Sequence, residues 1–207
     1  MEDKHHERTF SFEQHKSTFI DKLAAKVRYN KIDSILNSFQ LDLREKRICD
    51  VGCGYNCNFL LHMKDKYQTY SLYGVDVSIN PGLKNVVHFS EIDLKKEDFK
   101  IADNSIDIVT SLAVIEHLSD PAKYLSEIYR ILTKGGYFIL TTPPKLAKPI
   151  LYFLAYTGIG TKEEILDHKL YYSKKLLFHT LRDKFTEIKI KYFSLGINMY
   201  LTCKKNN

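Results

Sequence analysis

The chain has 207 residues, 44% of them hydrophobic, with 9 Gly, 5 Pro, 4 Cys and no Trp, and 31 basic against 25 acidic residues leave a net charge of +6 at pH 7. These values exclude collagen-like, low-complexity and disordered chains and fit one compact domain that buries roughly 70% of its unfolded surface. The basic excess gathers late (Lys145 to Lys148, Lys174/Lys175, Lys184 to Lys191, Lys204/Lys205) and reads as a solvated face, so no nucleic-acid partner is expected; no apolar run approaches the roughly 20 residues of a membrane helix and MEDKHHERTF lacks a secretory apolar stretch, so a cytoplasmic protein is expected.

In chain order, Phe19, Ile20, Leu23, Ala24, Val27, Ile32, Ile35, Leu36 and Phe39 recur at helical spacing and predict one or two amphipathic helices, an N-terminal cap over residues 1–40. From residue 46 short apolar runs (RICDV, SLYGVDV, VVHF, SIDIVTSL, YFILTT) alternate with helical stretches, which predicts a mostly parallel sheet with helices on both faces. The best-marked helix has Asp120 as cap, Pro121 in its first turn, Ala122, Leu125, Ile128, Tyr129 and Leu132 as its stripe, and Gly135-Gly136 as its stop. An aromatic, basic segment follows Pro149. FTEIKIKYF and INMYLTCK, joined through Ser194 to Gly196, then predict an antiparallel hairpin at the sheet edge. No repeat or linker divides the chain, so residues 1–207 are read as a single domain with an insertion around 145–172.

Cys49, Cys53 and Cys57 fall too close together for a disulfide framework and read as small buried side chains. The segment Ile48 to Asn56 is an apolar strand that ends in an acid and enters a glycine turn before a helix. Such a turn brings backbone N–H groups and a positive helix end to the crevice at the strand ends, where open α/β sheets bind ligands. Asp76, 22 residues after Gly54 and at the end of the next strand, is placed to accept hydrogen bonds from ribose hydroxyls. Dinucleotides and S-adenosylmethionine both suit this pattern, but Cys57 stands where a dinucleotide fingerprint wants Gly or Ala.

The chain resembles the class I S-adenosylmethionine-dependent methyltransferases, in the small-molecule acceptor group of methyltransferase type 11/12-like domains. The likeness covers residues 46–144 through four ordered motifs: Asp50-x-Gly52-x-Gly54; Asp76; Glu91-Ile92-Asp93-Leu94; and Asn104 to Val109, Val114-Ile115-Glu116-His117-Leu118-Ser119-Asp120-Pro121 and Arg130 to Gly136. It implies a Rossmann-like seven-stranded, mostly parallel sheet with an antiparallel C-terminal hairpin and helices on both faces. It implies S-adenosylmethionine as cofactor, with S-adenosylhomocysteine as product. It also implies a cofactor site of Asp50, Gly52, Cys53, Gly54, Asn56, Asp76, Val77, Asp93, Leu94 and Leu112. Asp93 would lie near the adenine amino group and Leu94 against the ring. Asn56 stands where the family has a third glycine and is expected to take left-handed backbone geometry.

The family's base-modifying members carry Asn/Asp-Pro-Pro-aromatic after the fourth strand, where this chain reads SLAVIEHL. The expected acceptor is therefore an oxygen, less favourably a nitrogen, of a small molecule, sugar or lipid-linked head group. Residues 145–172 are expected to lid it, with Tyr152, Tyr156, Tyr171 and Tyr172 as walls, and residues 173–207 to supply the C-terminal helix and hairpin. His168 is the first candidate for the base and His117 the second, since imidazole titrates near neutrality. No metal-ligand spacing stands out, so a metal-independent enzyme is expected. A catalytically silent cofactor-binding module and a dinucleotide oxidoreductase stay open as alternatives, and so does a homodimer.

Overall fold

The structure is a computed structural model that describes residues 19–94, 97–157, 165 and 167–206, without the side chains of residues 19, 20 and 155. Parts of the expected cap (1–18) and lid (158–164 and 166) therefore lie outside the described residues.

Seven strands form one sheet: β1 (Ile48–Val51), β2 (Leu72–Asp76), β3 (His88–Glu91), β4 (Ile106–Leu112), β5 (Leu132–Thr142), β6 (Phe185–Phe193) and β7 (Asn198–Lys205), in the order β3-β2-β1-β4-β5-β7-β6. β1 to β5 are parallel, and β7 inserts antiparallel between β5 and β6. Period-2 alternation divides the core into two layers. Cys49, Val51, Val109, Phe138 and Leu140 face one side, where they meet α3 (Ala122–Ile131) and α5 (Lys174–Leu181). Ile48, Ile108 and Ile139 face the other, against α1 (Phe19–Ser38) and α2 (Asn58–Tyr67). A further helix, α4 (Lys148–Tyr156), follows β5.

Three local expectations are corrected. Within the described part of the predicted N-terminal stripe, Ile32, Ile35 and Leu36 are core, whereas Leu23 and Val27 are exposed. α3 has Pro121 rather than Asp120 at its N-cap position, with Asp120 Oδ1 one residue earlier accepting from Ala122 N–H at 2.9 Å, and it stops at Ile131 rather than at the glycines. Leu132 turns extended and β5 starts there, so Gly135-Gly136 lie inside the strand; at Gly136 a Cβ would come within 2.8 Å of the Thr133 carbonyl oxygen. In the glycine turn, the non-glycine residue with left-handed geometry is Cys57 (φ 48°) and not Asn56, because Cys57 occupies the cap position of α2.

β1 has β2 on one side and β4 on the other, so the chain order reverses across it, and the crevice at the carboxyl ends of these strands is where α/β sheets take ligands.

Candidate active site

The glycine turn leaves β1 at Val51. Gly52 N–H and Cys53 N–H both donate to the Val75 carbonyl, at 2.7 and 3.3 Å, which ties the turn to the end of β2. Asp76 closes the arrangement. Its Oδ2 accepts from Gly54 N–H at 2.8 Å and its Oδ1 from Val77 N–H at 2.7 Å. Two oxygens accepting one bond each retain lone pairs for two hydroxyls. Burial raises the Asp76 pKa despite these two bonds. At Gly54 (φ +70°) a Cβ would find nothing within 4 Å, so the backbone faces open space. The Asn80 side-chain amide donates to Asn56 Oδ1 at 3.4 Å, closing the other side of the turn.

Asp50 lies beneath, 2% exposed, and accepts a 2.6 Å bond from Thr110 Oγ1. Burial raises its pKa to about 7, with Thr110 opposing the shift, Asp76 adding to it and Arg28 opposing it. Cys53 contributes backbone only, its side chain being packed in the core; its Sγ is 3.6 Å from that of Cys57. Ile92 N–H donates to the Asp76 carbonyl at 2.9 Å, which carries Asp93 and Leu94 to the same edge. Leu94 packs partly on the core, and so does Leu112 at the end of β4.

Past β4 the chain makes a short turn, Ile115–His117. Glu116 is 1% exposed; its Oε2 accepts from Thr142 Oγ1 at 2.9 Å, and its Oε1 is buried without a hydrogen-bond partner. Burial raises its pKa. The Glu116 carbonyl accepts from Lys169 and Leu170 N–H at 2.7 and 3.1 Å, and so holds the loop after α4 against the strand ends. That loop brings Asp167 Oδ2 to 3.2 Å from His117 Nδ1, and His168 to a ring-centroid distance of 4.9 Å from His117. His168 Nδ1 meets Tyr171 Oη at 3.0 Å.

The structure brings the two expected bases together. Burial, then the neighbouring His117, pushes the His168 pKa down to about 4, so this imidazole is neutral at pH 7. The His117 ring is oriented by Asp167. The absence of clustered metal ligands is corrected: the fold gathers Glu116, His117 and His168, with one donor atom of each within 4.8 Å of the others. Of the expected walls, Tyr152 and Tyr171 flank Lys148, whose Nζ lies 5.5 and 5.3 Å from their ring centroids, and Tyr156 is exposed. Tyr172 is no wall. It is 1% exposed in the core, pinned by its carbonyl to Lys145 N–H at 2.9 Å.

Sequence reasoning missed Arg28, whose buried Nε has no partner and whose charge reaches both Asp50 and Glu116. Nothing in the helical pattern of α1 distinguishes it. It also missed Asp167, which stands beside His168 but finds its partner 50 positions upstream.

A family model described as a methyltransferase domain matches residues 23–194, most of the chain and every site residue above. The chain belongs to the methyltransferase-domain family. The domain is 28% identical over 134 residues to the ubiquinone biosynthesis O-methyltransferase of Nitrosomonas europaea, covering 61% of this chain and 54% of that protein. It is 30% identical over 125 residues to the tRNA U34 carboxymethyltransferase of Campylobacter fetus, covering 56% and 41%. The match thus spans about half the length of these curated relatives. Among solved structures, an S-adenosylmethionine-dependent methyltransferase from Archaeoglobus fulgidus superposes with a TM-score of 0.60 at 17% identity, over 91% of this chain and 100% of that one, which shows the shared fold. S-adenosylmethionine is the cofactor of this family, and the open backbone at Gly54, the unsaturated Asp76 carboxylate and the buried Asp50 suit its nucleoside and its ammonium end. No helix among the described residues is long and apolar enough to cross a membrane.

Proposed function

We propose that this methyltransferase domain transfers the methyl group of S-adenosylmethionine to an oxygen of a small molecule, sugar or lipid head group. The reading rests on one observation: the Glu116, His117 and His168 cluster is fastened to the carboxyl ends of β4 and β5, next to the glycine turn. The two regions are in contact, since a Cβ on Gly52 would lie 2.3 Å from Val114, two residues before Glu116.

The cofactor supplies a methyl group on a sulfonium, whose carbon–sulfur bond breaks as the new oxygen–carbon bond forms. The protein holds and aligns. Asp76 would take the ribose hydroxyls, Asp50 the ammonium, the backbone of Gly52, Cys53, Gly54 and Asn56 the methionine end, and Val77, Asp93, Leu94 and Leu112 the adenine side. An acceptor hydroxyl must lose its proton, and the histidine cluster is where that proton would go, with Asp167 fixing the His117 ring. Residues 145–172 would cover the acceptor, with Tyr152 and Tyr171 about Lys148 and Tyr156 beyond them. A silent cofactor-binding module would have no use for a carboxylate buried beside two imidazoles.

Thermal unfolding tests the cofactor first. A ligand at about 100 times its Kd stabilises by roughly 2.7 kcal/mol, a rise of about 5–10 °C for a chain of this length. S-adenosylmethionine and S-adenosylhomocysteine should give that rise, NAD should not, and Asp76→Ala should abolish it. Labelled methyl transfer to hydroxylated against amine acceptors then decides the acceptor atom, and a strict amine preference would overturn the oxygen reading.

A further inference from the structure

We propose that Glu116, His117 and His168 form a binding site for one divalent first-row transition-metal ion. One carboxylate oxygen and two imidazole nitrogens are the donor set of many three-ligand metal sites, and here the three donor atoms lie within 4.8 Å of one another. Bonds of about 2.0–2.2 Å put neighbouring donors about 3.0–3.5 Å apart, so the ion needs the donors to close by up to about 1.3–1.8 Å. His168, on a loop and half-buried, can supply that movement.

Two independent features point to a cation. The first is Glu116 Oε1. Its partner oxygen is satisfied by Thr142, yet Oε1 is buried with no donor, an arrangement that costs free energy unless a proton or a positive group meets it. The second is the orientation of the imidazoles. Each Nδ1 is already engaged, that of His117 by Asp167 at 3.2 Å and that of His168 by the Tyr171 hydroxyl at 3.0 Å, which leaves Nε2 of both rings for a ligand bond. A metal-binding histidine characteristically gives its second nitrogen to a carboxylate or other oxygen, which fixes the ring. The loop carrying His168 is itself held by two backbone bonds to the Glu116 carbonyl, so the ligands come from segments already joined.

Three protein ligands leave coordination positions open. Under the reading proposed above, an acceptor hydroxyl would occupy one. With the ion bound the two imidazoles would be ligands and not bases; in place of the route through the histidines given above, the ion would make that hydroxyl more acidic, so that its O–H bond breaks and the proton passes to water while the oxygen bonds to the methyl carbon and the carbon–sulfur bond breaks. Metal binding itself does not depend on that reading.

The test titrates the full chain, after dialysis against a chelator, with Co²⁺, read by its visible d–d absorption, with Zn²⁺ competition and without cofactor. One equivalent per chain is expected, with Glu116→Gln and His168→Gln each weakening binding at least 100-fold. Asp167→Asn, a positioning change, should weaken it about 10- to 100-fold. Each variant is first checked for an S-adenosylhomocysteine thermal shift, which establishes folding and measures the cofactor site separately from the metal site. If either ligand variant fails that check, Asp167→Asn decides, and unchanged affinity there overturns the site. No binding by the wild-type chain up to millimolar Co²⁺ overturns it as well. So does binding that survives His117→Gln/His168→Gln, which would place the ion on other histidines, His5 and His6 among them.

Discussion

Gly52 and Gly54 both have positive φ, 78° and 70°, but their surroundings differ, and alanine at each should separate folding from binding. At Gly52 the new methyl would fall 2.3 Å from Val114 Cγ2, on a branched side chain with little room to rotate. Strain from the backbone and from overpacking then add, and Gly52→Ala should cost about 2–3 kcal/mol, or roughly 5–10 °C in Tm. At Gly54 only the backbone strain applies, about 1 kcal/mol, because a Cβ there meets nothing within 4 Å. That free space is the proposed cofactor cradle, so Gly54→Ala should weaken S-adenosylmethionine binding at least tenfold while remaining the more stable variant. Melting curves with and without the cofactor check both, and equal stabilities would mean that Val114 yields. The cradle was legible in the sequence because Asp50, Gly52, Gly54 and Asp76 come from two consecutive strands and the turn between them. The Glu116, His117 and His168 cluster was not. Glu116 and His117 are adjacent, but which later histidine joins them depends on where the loop after α4 returns, and local spacing carries no record of that.

Among the elements, α1 is joined to α2 by a buried polar contact. Asp33 is 3% exposed and meets Lys66 Nζ at 2.6 Å, His62 Nε2 at 3.0 Å and Tyr67 Oη at 3.0 Å, all from α2. Burial alone would raise its pKa, but these bonds outweigh burial and hold it below the ordinary carboxylate range. Asp33→Ala removes the acceptor of every one of them and should cost about 2 kcal/mol, a fall of about 4–8 °C. Because the folded-state pKa is depressed, the contribution is present above the ordinary carboxylate pKa and is lost as pH falls through the folded value. The deficit of the variant should therefore shrink in acid, and a deficit independent of pH would assign the effect to packing. Strands were legible at this scale since each apolar run also carries its period-2 partition between the two core layers, as Ile108 and Val109 do. Helix ends were less so. The glycine pair that looked like a stop after α3 serves a close approach of β5 to β4, a tertiary constraint that the local signal imitates.

For the whole molecule, the proposed cofactor role of Asp50 is set against its cost in stability. Its pKa is raised by burial from an ordinary 3.8 to about 7, so the folded protein holds a proton that the unfolded chain has already released. Stability contributed by this group is thus full below about pH 4, falls as pH rises between the two values, and is lost above about pH 7. A displacement of about 3 pH units corresponds to about 4 kcal/mol. The groups around it are Thr110, Asp76, Arg28 and Tyr29, with Cys49, Cys53 and Tyr124 also sensing its charge. Asp107 and Glu127, held low by Arg47 and Arg130, slope the other way and would mask the effect in wild-type melting curves alone. The difference between Asp50→Asn and wild type cancels them. An asparagine keeps the oxygen that Thr110 donates to and removes the charge, so the variant should match wild type near pH 4.5 and exceed it by several degrees at pH 8. Its cofactor response should move oppositely, because an ammonium group beside an ionised Asp50 relieves the burial cost that the amide never had. In wild type the S-adenosylmethionine-induced Tm rise should therefore grow from pH 4.5 to pH 8, and in Asp50→Asn it should be small at both. A variant whose advantage is the same at both pH values would show that Asp50 does not ionise within this window, and with it the proposed role for its charge would fall.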